Sequence, residues 1–212
     1  MQLKNRLDAH FASAAAVAIG AAMLGAAPQA EAGIVWSGIV NINIPSTSDG
    51  VYVNLVTGQA GASGGSVAGW HINPFGAASM GFFGSAGSEF MRSGGSSATL
   101  VDNLAYLAEI GPSQSFGVGN LGVESTGATA MNLNSSENLI GFRFVNTATG
   151  GTHYGWMRIQ FTGTSFSQPR AIVEYAYESV AGVGIQAGQI VPAPGAFVLL
   201  AAAGLMARRR RR

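Results

Sequence analysis

Apolar and polar positions alternate with a period of two through much of the chain between residues 33 and 190. In residues 39–44, Val40, Ile42 and Ile44 fall on one face and Asn41 and Asn43 on the other, the pattern of a strand with one wet side. Pro45 ends that run, and Asp49-Gly50 predicts a turn that returns residues 51–56 onto it as a hairpin. Residues 58–69 read as a Gly/Ala/Ser loop. Short strands are expected at residues 70–73 (closed by Pro74), 81–84 and 89–92. Leu100, Leu104 and Leu107 recur at helical spacing, so residues 99–110 predict a helical turn or two, stopped by Gly111-Pro112.

The C-terminal half alternates most clearly. Ile140, Phe142 and Phe144 share one face of a strand. After a Gly150-Gly151 turn, Met157, Ile159 and Phe161 share a face, with Trp156, Arg158 and Gln160 opposite. Beyond Pro169, Val173, Tyr175 and Tyr177 alternate with Ile172, Glu174, Ala176 and Glu178. Many short strands punctuated by glycine predict an all-β fold, an antiparallel β-sandwich of the jelly-roll kind.

Both ends depart from this pattern. Lys4 and Arg6 precede an almost wholly apolar run at residues 14–27, Pro28 breaks it, and Ala30-Glu31-Ala32 supplies small residues on either side of one position. These are the parts of a secretory signal helix, cut between Ala32 and Gly33. At the other end, Pro192, Ala193, Pro194 and Gly195 form a stiff turn. An apolar run to Ala207 follows, then Arg208, Arg209, Arg210, Arg211 and Arg212. As a hydrophobic helix, residues 191–207 would extend about 26 Å against a hydrocarbon core of about 30 Å. That is a marginal span with a cationic stop, better suited to a transient hold than to a permanent anchor. The expected organisation is therefore a signal peptide at 1–32, an extracytoplasmic β domain at 33–190 and a C-terminal segment at 191–212.

This tripartite end resembles the PEP-CTERM sorting signal of Gram-negative bacteria, in which a Pro-Glu-Pro motif precedes a transmembrane stretch and a basic cluster. Here Ala193 stands where that family has glutamate. The resemblance implies a partner, an exosortase-type sorting enzyme. It also implies a route: export, inner-membrane retention by the tail, then delivery to the cell surface or the exopolysaccharide matrix. The Phe-rich run at 140–144, the Tyr154-Gly155-Trp156 strand and the Tyr175/Tyr177 strand are similar to a pattern among surface proteins with such tails. That likeness implies a β-sandwich and no particular activity.

Charge and composition narrow the function of the domain. Residues 33–190 hold four arginines, eight acids and no lysine, a formal −4, so the basic balance of the whole chain resides in its ends. Nucleic-acid binding has no electrostatic support. There is no cysteine, which excludes a thiol nucleophile and leaves the fold without disulfides. His71 and His153 lack the local partners of a zinc site, Asp49 and Asp102 are isolated, and no motif calls for a cofactor. Glu174 and Glu178 lie about 13 Å apart along one strand, wide for a glycosidase pair. A cross-strand ion pair between Arg158 and Glu174 is expected instead. Trp70, Trp156 and Tyr154, with Tyr175 and Tyr177, are candidates for a sugar-stacking surface if they are exposed on one face.

The expected function is thus a non-catalytic surface or matrix protein. The alternative is a carbohydrate-binding module acting on exopolysaccharide. A third reading, a secreted hydrolase, requires a pocket that joins His71 or His153 to an acid.

Overall fold

The computed structural model describes residues 33–92, 100–117, 121–123, 125 and 128–190. The expected signal helix and C-terminal hydrophobic helix lie outside these residues. Within them the chain is all-β, apart from a single 3-10 turn at Gly64–Ser66.

The strands are β1 (Ile34–Trp36), β2 (Ile42–Asn43), β3 (Tyr52–Val53), β4 (Ala60–Gly61), β5 (Ile72–Phe75), β6 (Gly81–Gly84), β7 (Glu89–Met91) and β8 (Leu100–Val101). They continue with β9 (Glu109–Ile110), β10 (Phe116–Gly117), β11 (Leu121–Val123), β12 (Ser135–Asn146), β13 (Gly151–Phe161), β14 (Ala171–Glu178) and β15 (Ile185–Gln186). A first sheet runs β1-β14-β13-β12-β7-β10, with β2 also paired to β14. A second runs β4-β3-β5-β6-β11-β8, and β15 pairs with β9 alone. All pairings are antiparallel except β11 with β8.

The alternating positions of the C-terminal half build the interior. Phe142 and Phe144 of β12, Met157, Ile159 and Phe161 of β13, and Tyr175 and Tyr177 of β14 project from the first sheet. They meet Val53, Ile72, Phe82, Val101 and Leu121 of the second in one buried cluster. Each such side chain, fully buried, contributes roughly 1.5–3 kcal/mol. Phe142 sits opposite Gly155 in the β12–β13 register. A Cβ at Gly155 would lie 2.5 Å from the Phe142 ring and from the Ala176 carbonyl, so only glycine admits that ring. The other face of the first sheet carries a second cluster, with Met91, Phe116, Tyr154, Trp156 and Ala176 roofed by Ile110, Ile185 and Ala187. A strand covered on both faces reads as continuously buried, as all eight residues of β14 are.

Five expectations are corrected. Residues 51–56 do not fold back on residues 39–44. β2 joins β14 in the first sheet, whereas β3 belongs to the second, so the Asp49-Gly50 turn carries the chain between sheets. The alternation at 39–44 is broken by Asn41, whose φ of 47° is left-handed, a conformation asparagine tolerates. Pro74 does not close β5 but lies within it, its carbonyl accepting from the Val51 N–H at 3.0 Å.

Residues 100–110 form no helix. Leu104 bridges Leu139 of β12, Leu107 adopts a φ of 65° and is exposed, and Val101, off the leucine spacing, is buried. Lastly, β14 does not keep strict alternation. The β13–β14 register shifts between Arg158 and Ile159, which face Glu174 and Ile172, and Val173 is the extra residue. This bulge turns Ile172 into the same core as Tyr175 and Tyr177.

Candidate functional site

The most exposed aromatic grouping lies on the outer face of the second sheet. Period two sends Val53 and Phe82 inward, so their neighbours Tyr52 and Phe83 face outward. Trp70, just ahead of β5, stands edge-on to Tyr52 with ring centroids 4.9 Å apart, and its centroid is 6.1 Å from that of Phe83. Phe83 is 38% exposed, and Tyr52 and Trp70 are half-buried. A shallow depression of about 250 Å³ adjoins them, lined by Ser48, Tyr52, Asn73, Phe75 and Phe83. The Asn73 amide is committed to the fold, donating to the carbonyls of Asp49 at 2.8 Å and Val51 at 3.0 Å.

The other aromatic candidates are not on this face. Trp156 is 1% exposed and Tyr154 is 5% exposed, both in the cluster beneath β9 and β15. The Trp156 indole N–H donates to the Gln189 carbonyl at 3.2 Å. Tyr175 and Tyr177 are core residues, and burial raises the pKa of both phenols. Of the expected sugar-contact residues, only Trp70 is not buried. Tyr52 and Phe83 were missed, although the adjacent aromatics Phe82-Phe83 within one strand already require one ring on each face.

A second depression, of about 290 Å³, is lined by Tyr106, Glu137, Leu139, Trp156, Arg158, Glu174 and Gly188. The expected Arg158–Glu174 pair is present at 2.8 Å, in register across β13 and β14. Arg158 also reaches Glu137 at 3.1 Å, and the Trp36 indole N–H donates to the other oxygen of Glu174 at 2.7 Å. Both Glu174 oxygens therefore accept from fixed donors, an arrangement that suits a structural ion pair.

Neither histidine meets an acid side chain in the hydrogen bonds of the described residues. His71 is buried against Phe144, ring centroids 4.6 Å apart, and its Nδ1 accepts from the Leu55 N–H at 3.0 Å. Burial lowers its pKa from 6.5 to about 4. His153 is also buried, with Nδ1 2.8 Å from the Glu178 backbone carbonyl, so that nitrogen carries the proton. Among the described residues no three His, Cys, Asp or Glu side chains converge.

The His71 shift has a measurable consequence. In the unfolded chain the imidazole titrates near 6.5, so between that value and about 4 the unfolded state binds more protons. The stability held by neutral His71 is complete above pH 6.5 and is lost as pH falls toward 4. The total approaches about 3 kcal/mol. Urea unfolding from pH 7 to 4 should show this loss, and His71→Gln, which keeps an acceptor for Leu55, should flatten that part of the profile.

The two ends are only partly in view. Ala30 and Ala32, the turn Pro192, Ala193, Pro194 and Gly195, and the arginines 208–212 lie outside the described residues. Gly33 is described: its N–H donates to Glu178 Oε1 at 2.9 Å and its carbonyl accepts from the Ser179 N–H at 2.8 Å. Among the described residues no helix is long and apolar enough to cross a membrane. No protein-family description, curated protein or solved structure matches this chain.

Proposed function

We propose that the chain is an exported, non-catalytic surface or matrix protein of a Gram-negative bacterium, its β domain delivered by removable ends. The observation that carries this reading is the order of parts at the C-terminus: the Pro192-to-Gly195 turn, a brief apolar run, then five arginines. A brief span with cations behind it halts a chain in the bilayer without a deep, permanent anchor. An exosortase-type enzyme is the partner that would release it, and the membrane is a transient one. Two features of the domain support the reading. Its formal charge is acidic while most basic residues of the chain lie in the two ends, and Gly33, the first residue after the expected cut, is already bonded into the fold. The two facing sheets with one shared core fit a β-sandwich of the jelly-roll kind. Proteinase K added to intact cells tests the reading: the domain should be digested while a cytosolic marker survives. Survival of the domain in unbroken cells would contradict it.

A second reading, binding of exopolysaccharide, is favoured by Trp70 together with Tyr52 and Phe83 on one open sheet face. Aromatic faces offer sugars an apolar platform with polar surroundings. Trp70→Ala should weaken retention on extracted exopolysaccharide by about tenfold, of the order of the 1–1.5 kcal/mol of one ring contact. Unchanged retention would leave this face a purely structural one.

A further inference from the structure

Glu178 differs from the ion-paired acids of the domain. Glu89 meets Arg143 at 2.7 Å, and Glu137 and Glu174 share Arg158. Glu178 is only 4% exposed, yet among the described residues it forms no ion pair. Its Oε1 accepts from uncharged donors: the Gly33 N–H at 2.9 Å, the Val180 N–H at 2.9 Å and, more distantly, the Ser179 hydroxyl at 3.4 Å. His153 meets the Glu178 backbone carbonyl and leaves the carboxylate to these donors. A carboxylate taken out of water is costly unless a cation faces it.

We propose that removal of the signal segment supplies that cation, and that Glu178 is a socket for the new N-terminus. The inference rests on the proposed cut between Ala32 and Gly33. Hydrolysis of that bond adds one water. The Ala32 carbonyl carbon takes the hydroxyl and departs as a carboxylate with the signal segment. The Gly33 nitrogen takes a hydrogen and, at neutral pH, a further proton. The nitrogen that donated as an amide thus becomes an ammonium in the same position. It is kept there because Gly33 remains tied by its carbonyl to Ser179 and Ile34 stays in register with Glu178. A hydrogen bond from a neutral amide to the carboxylate is converted into one between an ammonium and the carboxylate, which adds an opposite charge at the same site. Processing then locks β1, an edge strand, onto β14, and the precursor lacks this clamp.

The chain provides its own probe. Lys4 is its only lysine, so after the cut the Gly33 α-amine is the sole primary amine. Protein purified from exporting cells is treated with an amine-acylating ester near pH 8, close to the ordinary α-amine pKa. The N-terminal peptide is then read by mass spectrometry. The docked ammonium should acylate at least about tenfold more slowly in the folded protein than in urea. Glu178→Gln should remove most of that protection while the fold, followed by circular dichroism, persists. Glu178→Asp, which keeps the charge and retracts it by one methylene, should give an intermediate rate and serves if the Gln variant does not fold. Equal acylation of Gly33 in folded and unfolded wild-type protein would overturn the socket while leaving the processing intact. An N-terminal peptide beginning elsewhere would overturn the cut itself, and the peptide mass separates the two failures.

Discussion

Arg170→Ala should cost the domain about 4 kcal/mol or more, enough to lower its melting temperature by about 8–16 °C. Arg170 is 0% exposed and is surrounded by backbone carbonyls. Its Nε donates to Ile44 at 3.0 Å, one terminal nitrogen to Ser165 at 2.9 Å, and the other to Pro45 at 2.7 Å and to Gly76. One guanidinium therefore ties three loops: that after β2, that after β5 and that before β14. Burial lowers its pKa, but a guanidinium remains charged throughout the physiological range. Truncation would strip several buried carbonyls of their donor, each worth about 1–3 kcal/mol, and would leave a cavity. Against a typical total stability of about 5–15 kcal/mol, that threatens the fold itself. Arg170→Lys should also fail to rescue, because an ammonium on a flexible stem cannot reproduce the planar fork. Thermal melts followed by circular dichroism check this. A loss under about 1 kcal/mol would mean that water replaces the guanidinium at no great cost.

Replacing arginines 208–212 with serine should abolish retention of the chain during export. The proposed apolar helix is brief, so its hold depends on the cations that stop it at the cytoplasmic face. Each central arginine costs about 2.5–3.5 kcal/mol to draw into the bilayer, so five in succession form a barrier that serine does not. The expected result is a fall of at least about tenfold in membrane-bound and surface-delivered protein, with the variant appearing as soluble exported chain. Fractionation and immunoblotting would read it. Unchanged surface delivery would show that the arginines are dispensable.

How much could be read from the sequence varied along the chain. β12, β13 and β14 were legible because long alternating runs bury one side of a sheet, and the Arg158–Glu174 pair followed from their pairing. The bulge at Val173 was not, since an extra residue leaves no mark on the alternation it interrupts. The N-terminal half was read less well because its strands are two to four residues long, and pairing over such short runs is decided by the loops. The leucines at 100, 104 and 107 mimicked a helix, but tertiary pairing to Leu139 prevailed over local spacing. At the candidate site, Trp70 was visible as an aromatic beside a glycine-rich loop. Trp156 and Tyr154 looked equivalent to it, because nothing local reveals that β9 and β15 roof the outer face of the first sheet.

The most direct test of the account is the intact mass of the protein recovered from culture, measured separately for the cytosolic, membrane and surface fractions. The account predicts a surface chain that begins at Gly33 and has lost the arginines 208–212. A full 212-residue chain in the cytosol, with both ends uncut, would contradict it.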